Sequence, residues 1–94
     1  MAVNKTQRFE ALRGLDCCRC RKSPVQVAHS NFYEHGKSRG KKADDKYTIP
    51  LCHSCHQWFD QYQQMSRADS KKWFDEKLNN TNRILNVKEK YEAF

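Results

Sequence analysis

The sequence predicts one small α+β domain over residues 1–94, and three observations lead to this prediction. The chain has 94 residues, of which only 37% are hydrophobic, so a large apolar core is excluded. Two Cys-x-x-Cys pairs enclose two short runs that are typical of β-strands. Apolar positions with helical spacing flank the pairs on both sides. Domains with so small a core often need a bound metal, disulfides or a partner subunit.

The N-terminal part of the chain predicts one helix and two strands. Residues 4–13 carry a weak helical pattern, and Gly14 is placed to end that helix. Residues 24–29 predict a short strand whose side chains alternate between two faces. Residues 47–49 predict a second strand, which Pro50 should halt because proline cannot donate to a ladder.

The C-terminal part predicts three helices that pack as scaffold. The first covers residues 52–65. Residues 66–94 form a C-terminal helical packing segment with two helices, the first capped by Ser66 or Asp69 and the second by Thr81. Their apolar stripes have helical spacing and are most simply core: Cys55, Phe59, Tyr62 and Met65, then Trp73, Phe74 and Leu78, then Ile84, Val87, Tyr91 and Phe94.

The two cysteine pairs predict a zinc knuckle. A two-residue spacer lets both sulfurs of a tight turn face one point, and two such turns complete a tetrahedron. Four thiolates leave no open position, so the zinc should be structural, with Cys17, Cys20, Cys52 and Cys55 as its ligands. Cys18 is a spare thiol, because Cys18-x-Cys20 makes a tighter and less usual chelate. Disulfides and unrelated buried cysteines are the alternatives, and a reducing compartment disfavours the disulfides.

The charge of the chain favours an anionic partner. Lys and Arg number 18 against 11 Asp and Glu, giving a net charge of +7 that points most often to nucleic acid. The polar connection 30–46 should contact DNA phosphates without reading sequence, through Lys37, Arg39, Lys41 and Lys42. A solvated loop without a contact role is the alternative. No stretch approaches the roughly 20 apolar residues of a membrane span, and no secretory signal is visible, so we expect a cytoplasmic location.

A histidine and an aspartate predict a second, catalytic metal site. His56 and Asp60 lie at positions i and i+4, which places both on one face of a helix within reach of one ion. This donor pair suits Mg²⁺ or Mn²⁺, with the other positions left to water and phosphate. His29 ends the first strand and can take a proton from water there. The alternatives are that His56 covers the zinc knuckle and that Asp60 pairs with a nearby Lys or Arg.

Several runs of the chain resemble the HNH nucleases, also called ββα-metal or His-Me finger endonucleases. The runs are Val27-Ala28-His29-Ser30, Gly36-Lys37, Lys42-Ala43-Asp44-Asp45, Ile49-Pro50-Leu51-Cys52-His53-Ser54-Cys55-His56 and Phe59-Asp60. Within this family the chain is most similar to small phage proteins related to the recombination-enhancement nucleases. The resemblance covers residues 16–62 and implies a ββα core that grips one catalytic divalent ion, with a zinc knuckle stapling its base.

The resemblance also implies a role for individual residues. His29 matches the general base that activates water, and His56 and Asp60 match the metal ligands on the helix. Asp45, or else Asp44, falls near the middle position, which is usually an asparagine that orients the base.

Two positions depart from the family pattern. Ala28 stands where many members place a metal-binding aspartate or histidine, and the middle residue is Asp45, or else Asp44, and not asparagine. The resemblance implies an endonuclease that hydrolyses phosphodiester bonds in DNA with low sequence specificity, in phage recombination or DNA processing. It implies DNA and a recombination protein as partners and, for a phage protein, the host cytoplasm. Two other functions stay open: a non-catalytic zinc-knuckle DNA-binding protein, and an adaptor that uses its aromatic C-terminal helices. His35 and His53 receive no role.

Overall fold

A computed structural model describes residues 5–61 and 65–92 of the chain. Within them it contains three α-helices, two strands and one 3₁₀ turn. In chain order these are α1 (Lys5–Arg13), β1 (Gln26–His29), the turn Tyr33–His35, β2 (Thr48–Leu51), α2 (His53–Gln61) and α3 (Arg67–Glu92). The prediction of a small α+β fold is therefore confirmed. No helix of the described residues combines the length and apolar character that crossing a membrane requires.

The two strands form an antiparallel sheet with a simple register. Gln26 pairs with Leu51, and His29 pairs with Thr48. Because side chains alternate along a strand, Gln26 and Ala28 share the face that α2 covers, whereas His29 shares the opposite face with Thr48. The ring of Phe9 on α1 meets the ring of His29 edge-on, with centroids 5.7 Å apart. The sheet thus separates the surroundings of His29 from those of Gln26.

The prediction that Pro50 halts the second strand is wrong. Pro50 lies within β2, opposite Val27. Its carbonyl points away from β1 and accepts a hydrogen bond from the Cys18 backbone N–H at 3.0 Å. In an antiparallel pair the N and C=O of one residue point the same way, so the missing proline donor lies on the outer edge and costs no ladder hydrogen bond.

The C-terminal segment is one helix in the described residues, and not the two that the sequence predicts. Thr81 lies within α3 with 1% of its surface exposed, and therefore does not cap a new helix. The chain has no glycine or proline from residue 67 to residue 92, and buried residues recur at helical spacing along the stretch: Ser70, Phe74, Leu78, Thr81 and Leu85. Ser66 is the N-cap, since its hydroxyl accepts the Asp69 backbone N–H at 3.1 Å.

The predicted helix over residues 52–65 is α2, which is described as far as Gln61. Tyr62 lies outside the described residues, and Met65 lies outside the helices. The other predicted core positions of this helix, Cys55 and Phe59, are buried. Phe59 stacks on Phe74 of α3 with ring centroids 5.4 Å apart, and this contact joins the two helices. The N-terminal helix over residues 4–13 is confirmed from Lys5 onward.

Candidate metal centre and active site

Two backbone turns bring the four predicted zinc ligands together. In the first turn the Cys17 N–H donates to the Lys22 carbonyl and the Arg21 N–H donates to the Cys17 carbonyl, both at 2.9 Å. The second pair follows β2 directly, so that Cys52 precedes α2 and Cys55 lies in its first turn. The hydrogen bond from Cys18 to Pro50 fixes the first turn against the outer edge of β2.

The sulfur positions fit a tetrahedral metal ion. The Sγ atoms of Cys17, Cys20, Cys52 and Cys55 all lie within 4.8 Å of one another, and those of Cys20 and Cys52 are 3.5 Å apart. A tetrahedral Cys₄ zinc site with Zn–S bonds of about 2.3 Å requires sulfur–sulfur distances of about 3.8 Å. The cluster could therefore hold a metal ion, and a set of four thiols is the donor set that zinc prefers. Cys18 does not belong to the cluster.

Two thiols of the cluster differ in how readily they lose a proton. Burial opposes ionisation of Cys17, but hydrogen bonds from the backbone N–H groups of Cys52, Cys20 and Arg19 outweigh it and lower the pKa of Cys17 to about 6. Burial raises the pKa of Cys55 to about 12. One thiolate is thus available near neutral pH, and the remaining protons would have to leave as a metal binds.

Arg19 contacts this cluster directly. Its Nη1 donates to Cys55 Sγ at 3.4 Å, and its guanidinium lies 3.9 Å from the ring centroid of Trp58. A cation in this place offsets the negative charge that four thiolates and one divalent ion would carry. The Cys-x-x-Cys spacing could not reveal the contact, because it depends on how the first turn meets α2.

The predicted base and its predicted orienting residue lie in direct contact. His29 Nε2 is 2.9 Å from Asp45 Oδ1, and the His29 side chain is 19% exposed. The backbone places Asp45 there, because the Thr48 hydroxyl donates to the Asp45 carbonyl at 2.8 Å and Thr48 pairs with His29 across the sheet. Asp44 takes a different place, with its backbone N–H bonded to the His35 carbonyl.

The predicted ligands of the catalytic metal also lie together. His56 Nε2 is 3.4 Å from Asp60 Oδ2 on one face of α2, as their spacing predicts. Asn31 Nδ2 donates to the other carboxylate oxygen of Asp60 at 3.2 Å. Asn31 follows His29 by two residues, so the Cα atoms of these two residues lie within about 7 Å of each other. Asp60 therefore lies near the end of β1 that carries His29, whereas His56 contacts Gln26 at the start of β1, on the opposite face of the sheet.

The described residues show a limit of this site. Within them, the cysteine cluster is the one group of three or more His, Cys, Asp or Glu side chains that could hold a metal ion. No third ligand of these types therefore accompanies His56 and Asp60 in that part of the chain. Ala28, which replaces the additional metal ligand of many HNH nucleases, is fully buried in the core.

The basic residues of the connection between the strands are exposed. A bridge between Ser38 and Lys41 forms a narrow turn at its tip, and Gly40 occupies the left-handed conformation there with φ 73°. The four residues predicted to contact phosphates are all solvent-exposed: Lys37, Arg39, Lys41 and Lys42.

His35, which had no predicted role, is a buried structural residue. The Ser30 hydroxyl lies 2.6 Å from His35 Nδ1, and the ring stacks on Tyr47 with centroids 4.2 Å apart. Its Nε2 is 3.4 Å from Asp75 of α3. Burial lowers the pKa of His35. No sequence pattern indicates this role, since the partners come from three separate segments.

Comparison of the chain with models of known protein families, with curated proteins and with solved structures finds no match. A function must therefore be argued from the residues of this chain and from their geometry.

Proposed function

We propose that this protein is a metal-dependent endonuclease of the HNH type, which hydrolyses phosphodiester bonds in DNA with low sequence specificity. The observation that carries the proposal is the contact between His29 Nε2 and Asp45 Oδ1 at 2.9 Å. A carboxylate can only accept a hydrogen bond, so the proton of this contact belongs to Nε2. In the neutral ring Nδ1 is then the basic nitrogen, as a water-activating histidine requires.

The reaction needs one proton acceptor and one group that stabilises charge on phosphate. His29 Nδ1 takes a proton from water while the water oxygen bonds to phosphorus and the bond to the leaving oxygen breaks. Asp45 holds the ring and stabilises the imidazolium that forms. His56 and Asp60 would hold Mg²⁺ or Mn²⁺, which supplies Lewis-acid stabilisation of the phosphate when bound. The cysteine cluster would hold structural zinc beneath the site.

Contact with DNA would come from the exposed connection between the strands. This segment starts directly after His29 and ends at Asp45 and Lys46, so its basic residues extend from the proposed reaction centre. Phosphate contacts of this kind carry no sequence information and weaken steeply with salt. We therefore expect log K for DNA association to depend less steeply on log salt when Lys37, Arg39, Lys41 and Lys42 are all replaced by Gln. The slope should decrease in magnitude by roughly 3–4 units. Lys72→Gln, on the exposed side of α3, is the single-site control.

The test is cleavage of supercoiled plasmid by the zinc-loaded protein in Mg²⁺ or Mn²⁺. His29→Ala should lower the nicking rate by roughly 10²- to 10⁴-fold. Asp45→Asn should lose much less than Asp45→Leu, because the asparagine oxygen can still accept from Nε2. Asp69→Asn, an exposed carboxylate in the first turn of α3, is the matched control. Equal cleavage by the wild type and His29→Ala would contradict the assignment of the base.

The second candidate is a zinc-knuckle DNA-binding protein without catalysis. The cysteine cluster and the exposed basic connection favour it, since neither requires a reaction. Salt-dependent DNA binding with no cleavage by the wild type in either metal would select this function over the first.

A further inference from the structure

One side chain contacts two histidines on the face of the sheet that α2 covers. Gln26 is the first residue of β1, and its side chain reaches α2. Gln26 Oε1 lies 2.7 Å from His56 Nδ1, and Gln26 Nε2 lies 3.3 Å from His53 Nδ1. The amide therefore uses its acceptor on one ring and its donor on the other.

These contacts determine which nitrogen of His56 carries a proton. An amide oxygen only accepts, so His56 Nδ1 must be the donor in the 2.7 Å contact. In the neutral ring Nε2 then has a lone pair and no proton. That nitrogen is the one 3.4 Å from Asp60 Oδ2. A protonated His56 would donate to both partners, but in the neutral ring Nε2 and Oδ2 are both acceptors, and a cation between them would satisfy both atoms.

We infer that Gln26 is a positioning residue, which holds His56 with Nδ1 protonated so that Nε2 presents its lone pair beside Asp60. The inference rests on the proposed function, because it concerns the metal ligands of that site. Histidines that bind metals through one nitrogen commonly donate from the other, and loss of that outer contact typically lowers metal affinity by 10- to 100-fold.

The other ligand is held in the same manner. Asn31 Nδ2 donates to Asp60 Oδ1, which leaves Oδ2 on the side of His56. The amides of Gln26 and Asn31 thus contact the imidazole and the carboxylate on the atoms that do not face each other. A glutamine side chain whose only role was contact with solvent would not be expected to bind two imidazole rings at once.

The orientation of the amide couples His53 to His56, because each ring nitrogen must take the role that complements the amide atom it meets. With its NH₂ group donating to His53 Nδ1, the Gln26 oxygen is left for His56. If the amide were rotated by half a turn, His56 Nδ1 would become an acceptor and Nε2 would carry the proton. The two arrangements are distinguishable in solution, because they predict opposite tautomers of His56.

The first experiment measures that tautomer by NMR of ¹⁵N-labelled histidine rings, in protein carrying one equivalent of zinc and no other metal. The wild type should show the Nδ1–H form of neutral His56, and Gln26→Leu should lose this preference. An Nε2–H form in the wild type, or an unchanged tautomer in Gln26→Leu, would overturn the inference. Thermal unfolding of each variant verifies that the fold is kept.

The second experiment measures Mn²⁺ affinity by the EPR signal of free Mn²⁺ with the same zinc-loaded protein. Gln26→Leu should bind Mn²⁺ roughly 10- to 100-fold more weakly, and Gln26→Glu should keep most of the affinity because a carboxylate can still accept from Nδ1. Gln57→Leu, an exposed glutamine of α2 next to His56, is the matched control and should bind as the wild type.

The variant His56→Ala separates failure of this inference from failure of the proposed function. If it abolishes Mn²⁺ binding while Gln26→Leu has no effect, the metal site stands and the role of Gln26 is refuted. If His56→Ala binds Mn²⁺ as well as the wild type, the metal site itself is wrong and the inference falls with it.

Discussion

A buried arginine joins the first helix to the sheet and to the last helix. Arg8 Nε donates to Thr48 Oγ1 at 2.7 Å, and Arg8 Nη2 donates to the Thr48 carbonyl at 2.8 Å. Arg8 Nη1 donates to Asn82 Oδ1 at 2.9 Å. Thr48 is fully buried and directs its carbonyl away from β1, so the guanidinium is the partner of that carbonyl. Arg8→Met keeps the apolar stem and removes all three hydrogen bonds.

The expected loss of stability in Arg8→Met follows from the hydrogen bonds that it removes and from the Thr48 carbonyl that it leaves without a donor. Hydrogen bonds from a charged group contribute about 1.5–3 kcal/mol each, and the removed desolvation cost of the guanidinium offsets several kcal/mol of that total. A buried carbonyl without a donor costs about 1–3 kcal/mol. We therefore expect the free energy of unfolding to fall by about 2–4 kcal/mol. In a domain of this size each kcal/mol lowers Tm by roughly 4–8 °C.

Urea unfolding of zinc-loaded protein, followed by far-UV circular dichroism, measures this loss. Arg13→Met on the same helix is the matched control, since Arg13 is exposed and its replacement should change stability by less than about 0.5 kcal/mol. Equal stability of Arg8→Met and Arg13→Met would refute the reasoning. Because Thr48 also donates to the Asp45 carbonyl, Arg8→Met should in addition weaken the hold on the His29–Asp45 pair.

Three further predictions concern the metal, pH and the turns. Cys52→Ser, or removal of zinc by a chelator, should unfold most of the domain, and unchanged helicity and Tm would contradict a structural ion. Burial lowers the pKa of His35 below its ordinary 6.5, so the unfolded chain binds more protons, and stability should fall as pH drops below about 6.5. His35→Gln should show a shallower fall in urea titrations, and parallel curves would count against the effect. Gly36→Ala should cost about 1–2 kcal/mol, because Gly36 has φ 95°; Gly14→Ala, with its nearest neighbour at an ordinary 3.5 Å, should not, and equal losses would exclude this cause.

Sequence patterns predicted the elements whose signals are local. The spacing of the cysteines predicted the cluster, because two turns with the same spacer have one geometry in common. The i, i+4 spacing of His56 and Asp60 predicted that they share one face of a helix, because helix geometry alone brings such residues together. In both cases the backbone fixes the spacing within each pair over a few residues.

The predictions failed where the result depends on packing between distant segments. Pro50 lies inside a strand because its nitrogen faces the outer edge of the sheet, and the strand register that places it there is not visible in the local sequence. Thr81 lies within a helix because its neighbours continue a buried stripe. The roles of Arg8, Gln26 and His35 need partners that lie five to 74 positions away in the chain. The sequence contains both the donors and the acceptors of such contacts, but it does not show which of them pair.

The connection between the strands is closed at its base and open at its tip. The Ser30 N–H donates to the Tyr47 carbonyl at 3.0 Å, and the Asp44 N–H donates to the His35 carbonyl at 2.9 Å. Both bonds, together with the His29–Asp45 contact, lie outside the exposed tip formed by residues 37–42. Segments of other length or charge could therefore replace the tip while the paired histidine and aspartate stay in place. Under the proposed function, contact with DNA and the residue that orients the base would therefore belong to separate stretches of this connection, and each could be altered without rebuilding the other.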